Sequence, residues 1–423
     1  MSHPSYDVIV IGGGPGGSSA ATFLARGGRS VALFERDIFP RFHVGESLMP
    51  ATMLLLDELG AREAVEASGF QQKFGAVFVD QASAQERTFY FLEGQPWPNY
   101  AYEVPRAEFD TVLLENARKR GVEVFQPATV TGADFDAGGV TVSVTQDGRS
   151  YTTRAAMLVD ASGRDGFISA RLGHRTRVPN LGKVALFTHY RGAARRSGRE
   201  EGNIRVYVYD EGWCWWIPLA GDLTSVGTVV HAKTARAWKG PLPALHDEML
   251  SRCPQVMADL KSAKRIMDVR VEANFAYTNS PVVGDRFLAV GDAVTFLDPI
   301  FSGGVYIALR TGQLAAQAIL DAFADGRFTA KRFAGYQRKV ERGVAPLFKF
   351  INKYYEPAFF DLLLRPKRRL GVYTAVLNVL SGGSFLKMRW RTRVSLAILF
   401  LLARLNVRAL RQAGRPVESR LEW

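Results

Sequence analysis

The sequence predicts an α/β protein with a Rossmann-type βαβ nucleotide domain, a second domain built on an antiparallel β-sheet, and a helical C-terminal extension. Three observations carry that reading. The opening YDVIVIGGGPGGSSAATFLARGGRSVALFER reads strand, glycine turn, helix, strand. The stretch from Lys183 to His231 is rich in β-branched and aromatic residues broken by Gly and Asp, the pattern of a meandering sheet. Beyond about Phe333 the pattern is mostly helical, with Gly382-Gly383 as its clearest break.

In the opening unit, Val8 to Ile11 is a continuous strand-forming run, Ser18 to Arg26 favours helix, and Ser30 to Phe34 reads as a second buried strand. Gly12, Gly14 and Gly17 supply G-x-G-x-x-G, and Glu35 ends the second strand 18 residues after Gly17. Glycines at this spacing permit a tight turn and close backbone approach to a pyrophosphate at a helix N-terminus, while the carboxylate accepts from ribose hydroxyls. The unit therefore predicts dinucleotide binding, with Glu35 selecting a free over a phosphorylated ribose.

Further along, Asp147-Gly148 sits between alternating runs and predicts a tight hairpin. MLVDASGRDG supplies another buried strand ending near Asp160, Ser162 and Gly163, and DRFLAVGDAVTFLDPIFSGGVYIALRTG returns to strand, loop and helix. The boundaries expected are a discontinuous nucleotide domain (1–80, 101–180, 281–332), a sheet domain (81–100, 181–280) and a basic, mostly helical tail (333–423).

At 423 residues, 47% hydrophobic and 22% charged, the chain has material for a large core. Its two cysteines, Cys214 and Cys253, make no disulfide framework, and no Cys/His cluster has metal-ligand spacing, so no metal is expected. The N-terminus runs into a strand without the features of a signal peptide, which predicts a cytoplasmic protein. Net charge is +13, and the tail from Asp361 holds thirteen Lys/Arg against three acids, an excess of +10. Its apolar run VSLAILFLLA, Val394 to Ala403, falls short of the roughly 20 residues that span a bilayer and reads as a core or interfacial helix. The basic surface suits an acidic carrier protein, an anionic membrane, or a merely solvated face. No recognition motif accompanies it, which argues against nucleic acid.

The opening fingerprint, VDASGRDG and VGDAVTFLDPIFSGG together resemble the FAD-binding segments of glutathione-reductase-like flavoproteins, in the aromatic-hydroxylase branch. The resemblance implies FAD, held by Gly12, Gly14, Pro15, Gly17, Glu35, Arg36, Asp160, Gly163, Asp292, Pro299, Gly303 and Gly304. It places Asp292 by the ribityl and phosphate groups and Arg106, in VPRAEFD, near the cofactor. Arg41, Glu46 and Ser47, in RFHVGES, are similar to a flavin-contacting strap. GWCWWIP fits W-x-W-x-I-P through Trp213, Trp215, Ile217 and Pro218, a motif resembling that of flavin-dependent halogenases; FHVGESLMPATMLLLDELG and DPIFSGGV are similar to segments of halogenases acting on phenols, pyrroles and carrier-bound acyl groups.

The halogenase resemblance implies that reduced FAD and dioxygen oxidise chloride or bromide to hypohalous acid, which travels through an internal tunnel to a lysine beside an aromatic substrate. Lys73 matches that lysine through KFGAVF. An ammonium can polarise hypohalous acid and a neutral amine can form a haloamine, whereas arginine is too firmly protonated for the second route. Ser302, Gly303 and Gly304 correspond to a halide-binding loop, where small residues let amides converge on an anion. The tryptophans form a wall between flavin and substrate. No second nucleotide motif is evident, so a separate flavin reductase supplies the reduced cofactor.

Read without the resemblance, these residues have plainer roles. Trp213 and Trp215 pack one face of a sheet. Lys73 is a surface lysine with its stem on Phe74 or Phe78, residues 302–304 are a turn before a helix, and Glu46 caps a helix or pairs with an arginine. No general base for substrate deprotonation stands out; His43, His189 and His231 are candidates, though an isolated histidine is more often structural. The rival activities are an FAD monooxygenase, an isoprenoid-type (geranylgeranyl) flavin reductase, and a non-catalytic flavoprotein scaffold.

Overall fold

The structure, a computed structural model, describes residues 5–417 apart from 94–97, 179–181, 274–275, 297, 366–370, 386–389, 413 and 415–416. The strands Ser5–Ile11, Val31–Phe34, Glu123–Phe125, Arg149–Asp160 and Phe287–Ala289 form a parallel sheet with Ser5–Ile11 near its centre. Val8 to Ile11 of the first strand and Val31–Phe34 are apolar on both faces, as a sheet covered on both sides requires. Asp147 and Gly148 both adopt positive φ, 50° and 72°, and close the expected hairpin between Val140–Gln146 and Arg149–Asp160.

The helix Pro15–Arg26 starts directly after the first strand and lies against the helix Gly304–Asp325. The two backbones touch closely: a Cβ on Gly312 would sit 2.5 Å from the carbonyl oxygen of Gly16. The glycine turn and the start of the long second helix are thereby brought to one side of the sheet.

The second sheet runs Lys264–Arg265, Lys183–Arg191, Leu223–His231, Gly212–Pro218, Ile204–Tyr209, Gly75–Asp80, Gln85–Tyr90, with Arg270–Ala273 also paired to Lys183–Arg191. It is antiparallel except where Ile204–Tyr209 meets Gly75–Asp80. Gly75–Asp80 was expected in the nucleotide domain up to residue 80; its backbone is instead hydrogen-bonded between two strands of the second sheet. Along Gly212–Pro218, Trp213, Trp215 and Ile217 face the core shared with the nucleotide domain, while Cys214 and Trp216 face a separate cluster.

The C-terminal helices Ala330–Tyr354, Pro357–Leu364, Val372–Leu380 and Trp390–Gln412 continue that shared core. Phe89 of the second sheet stacks on Tyr373 at 5.5 Å, and Phe78 meets Tyr354 at 6.1 Å. Gly382, at φ 96°, breaks the chain between the last two helices as expected. The run Val394 to Ala403 lies within the final helix, burying Leu396, Leu399 and Ala403 and exposing Val394 and Leu401. No described helix is long and apolar enough to cross a membrane. Lys367, Arg368, Arg369, Lys387, Arg389, Arg415 and Arg420, with Glu418 and Glu422, lie outside the described residues.

Candidate active site

The glycine turn forms one end of a cavity of about 830 Å³, in the upper part of the roughly 300–1,000 Å³ range of cofactor sites. Gly12 has φ +99°, and a Cβ there would lie 2.4 Å from the Ala161 carbonyl oxygen. Gly17 is not on the cavity surface; its missing Cβ, 1.9 Å from Gly12 O, is what lets the helix close against the strand. Gly14, Pro15, Gly163 and Pro299 do line the cavity. Glu35 is buried at its rim, with Oε2 accepting from the Gly13 N–H at 2.6 Å and Oε1 from the Asp37 N–H at 2.9 Å. Neighbouring Arg36 is exposed and pairs with Asp165.

Two arginines meet on Asp110, a residue the sequence reading missed although its i,i+4 spacing from Arg106 was a usable signal. Arg106 Nε and Nη2 donate to Asp110 Oδ1 and Oδ2 at 2.8 and 2.9 Å, and its Nη1 donates to Val44 O at 3.0 Å. Arg41 Nη1 donates to Asp110 Oδ2 at 3.2 Å, and its guanidinium lies 4.5 Å from the Phe39 ring centroid. Arg41 Nη2 also lies 3.5 Å from where a Gly14 Cβ would be. Asp292 lines the same cavity, its carboxyl pushed up to about 6 by burial and held back by Arg106 and Arg164. Tight glycines, a helix N-terminus, an acid at the second strand and fixed guanidinium groups fit the diphosphate and ribose of FAD.

Asp160 departs from expectation. Its carboxylate accepts from the Ser162 N–H and hydroxyl at 3.1 and 2.6 Å and from the Ile168 N–H at 2.8 Å, so it holds the turn and does not line the cavity. Pro218 likewise sits in the strand ladder opposite Thr224, off the cavity wall.

At the halide loop, Ser302 takes φ +57° and donates its N–H to Pro299 O at 2.9 Å. That amide is occupied, which leaves Gly303 and the first-turn amides from Gly304 onward to face an anion, with the macrodipole of the long helix behind them. Asp298 caps the preceding turn, accepting from the Ile300 N–H at 3.1 Å. Its Oδ2 accepts from the Tyr355 hydroxyl at 2.6 Å, and Tyr355 Oη accepts from the Trp213 indole N–H at 3.1 Å. This relay, also missed from the sequence, ties the tryptophan wall to the halide loop and to the C-terminal helices. Buried Lys183 lies 4.4 Å from the Tyr355 ring, its ammonium lowered to about 8 by burial despite Asp298. Trp213 and Trp215, 5.9 Å apart between centroids, line the cavity together with Ile217, and the Trp215 indole donates to Ser225 Oγ at 3.1 Å.

Lys73 ends a short strand, Gln71–Lys73, paired with Ala101–Glu103. The surface-lysine reading fails here: Lys73 is 2% exposed. Its Nζ donates to Ser47 Oγ at 2.5 Å and lies 3.7 Å from Glu103 Oε1 and 5.7 Å from the Phe91 ring centroid. Ser47 Oγ in turn donates to Glu103 Oε1 at 3.2 Å. Glu46 and Ser47 line the cavity, whereas Lys73 and Glu103 stand one side chain behind its wall. Burial lowers the Lys73 ammonium and raises the Glu103 carboxyl to about 8, each shift opposed by the other group's charge. Among the described residues Glu46 caps no helix and forms no ion pair with an arginine; its Oε1 is 2.9 Å from His189 Nε2. His43 lies with Nδ1 2.7 Å from Val44 O, and His231 Nδ1 accepts from the Lys233 N–H at 3.1 Å, both structural arrangements.

The family model described as tryptophan halogenase matches residues 7–97 and 95–358. The chain belongs to that family. It is 31% identical over 424 residues, with 94% of each chain covered, to a 1H-pyrrole-2-carbonyl peptidyl-carrier-protein chlorinase of Pseudomonas fluorescens. It is 34% identical over 395 residues, covering 92% of this chain and 94% of the relative, to the corresponding brominase of Pseudoalteromonas luteoviolacea. The myxobacterial chondrochloren halogenase CndH, an FAD-dependent halogenase, superposes with a TM-score of 0.80 at 30% identity, over 96% of this chain and 98% of CndH. This decides among the readings the sequence left open: the chain is an FAD-dependent halogenase, an oxidoreductase with a halide co-substrate.

Proposed function

We propose that this halogenase acts on an electron-rich aromatic, a phenol or a pyrrole, presented as an acyl group on a carrier protein, and that Lys73 directs hypohalous acid to it. The observation that carries the reading is the burial of the Lys73 ammonium behind Ser47, which itself lines the cofactor cavity. Reduced FAD, supplied by a separate flavin reductase, provides with dioxygen the oxidising power that converts halide to hypohalous acid.

The chain's own residues do the rest. Arg41 and Arg106, fixed by Asp110, orient the diphosphate end, and Glu35 accepts from the ribose. The amides of Gly303 and Gly304 hold the halide at the start of the long helix. Trp213, Trp215 and Ile217 line the cavity and keep the organic substrate off the flavin. Lys73, one side chain behind the cavity wall, then offers a buried cation that can both donate a hydrogen bond and, deprotonated, act as a nucleophile. Two of the relatives act on carrier-bound pyrrole-2-carbonyl groups, which supports the tethered substrate.

The test is to supply reduced FAD, air and chloride or bromide with pyrrole-2-carboxylic acid, a simple phenol, and a pyrrole-2-carbonyl carrier thioester. The expected result is a halogen isotope pattern in the product, strongest for the thioester. Turnover of the free acid as fast as the thioester overturns tethering, and hydroxylated product without halogen overturns the reaction.

A further inference from the structure

We infer that Glu103 is the proton partner of Lys73, and that Ser47 joins the pair to the cavity. This rests on the reading of Lys73 above and names a residue outside every motif of the sequence. Glu103 is fully buried; its Oε1 accepts from the Ser47 hydroxyl at 3.2 Å and forms an ion pair with the Lys73 ammonium at 3.7 Å. Its Oε2 is buried without a hydrogen-bond partner among the described residues. A buried carboxylate with an open oxygen is costly, and that oxygen is where a proton can be held. The other charged groups facing the unit are Glu46, with His189 against it, and Arg106 beyond Glu46.

The step is a transfer within a buried pair. The proton moves through Ser47: the N–H bond of the Lys73 ammonium breaks as its proton passes to Ser47 Oγ, the Ser47 hydroxyl proton passes to Glu103, and an O–H bond forms there, so both charges vanish together, Ser47 ends neutral and no net charge is added to a dry site. The nitrogen lone pair then takes halogen from hypohalous acid: N–X forms, O–X breaks, and one amine proton leaves with the hydroxide as water. The halogen keeps its oxidation state throughout. Ser47, whose hydroxyl lies between Nζ and the cavity, fixes the nitrogen at the wall the oxidant reaches.

The test compares wild type, Glu103→Gln, Glu103→Asp and Lys73→Ala by halogenated product formed per dioxygen consumed, from about pH 6 to about pH 9. Because a protonated Glu103 has no room for the lysine's proton, wild-type coupling should rise with pH through about 8. Glu103→Gln should lose that rise and fall about 100-fold at the alkaline end, the lower range for a positioned acid–base group; Glu103→Asp should recover part of both. Retention of full coupling and an unchanged rise in Glu103→Gln overturns the proton partner while leaving Lys73 in place; a Lys73→Ala that still halogenates overturns the reading beneath it. A second readout needs no turnover. A carboxyl raised on folding contributes stability that is complete below its unfolded value and lost as pH rises through about 8. The melting temperature of cofactor-free Glu103→Gln should therefore gain on wild type across that window, and a constant difference contradicts the inference.

Discussion

At the glycine end of the cavity the frame is backbone: amides, a helix N-terminus and the spaces where Cβ atoms are missing, with Glu35, Arg41 and Arg106 set around it. At the lysine end the working parts are side chains from separate strands and loops, Glu46, Ser47, Lys73, Glu103 and His189, made effective by burial. A backbone site is written into consecutive residues, and at Gly12 and Gly17 it leaves no room for a Cβ. A side-chain site depends on which groups the fold excludes from water, so small chemical changes tune it without disturbing its frame.

That contrast is broken or sharpened by substitutions of decreasing severity. Gly17→Ala places a Cβ where 1.9 Å separates it from Gly12 O. Overpacking of about 1–3 kcal/mol should weaken FAD binding up to about 100-fold, read by flavin fluorescence titration; unaltered affinity would show that the turn does not hold the cofactor. Glu35→Gln keeps an acceptor for Gly13 but loses the charge, and should weaken FAD about tenfold while leaving coupling at saturating FAD unchanged. Trp213→Phe removes the indole N–H from Tyr355, and should cost about 1 kcal/mol of stability with FAD affinity intact. If it instead lowers FAD affinity more than Glu35→Gln does, the wall belongs to the cofactor site and the two ends are not separable.

The same contrast explains what was legible. Gly12, Gly14 and Glu35 announce themselves because a backbone cradle needs particular residues at fixed spacing. Asp160 sits in a similar motif yet spends its carboxylate on Ser162 and Ile168, a choice that depends on where the turn's own donors point. Ser302 was read as a free amide, but its left-handed conformation turns that N–H to Pro299. Lys73 was found through its segment, whereas Glu103 lies in the short strand that pairs with it after the chain has passed through two strands of the second sheet, with nothing local to mark it. The strand Gly75–Asp80 was misplaced because only Phe74 separates it from Gln71–Lys73, and no turn residue signals that the chain passes from one sheet to another. Tyr355 reached the tryptophan wall from the helical tail, which composition alone presents as a basic appendage.

Coupling in Lys73→Ala tests the central claim most directly, namely that halide oxidation inside the cavity and halogen delivery by Lys73, one side chain behind its wall, are separate steps. With reduced FAD, halide and substrate supplied, dioxygen consumption and peroxide release should continue at the wild-type rate while halogenated product disappears. Loss of dioxygen consumption along with product would place the lysine in the flavin chemistry itself and contradict the account.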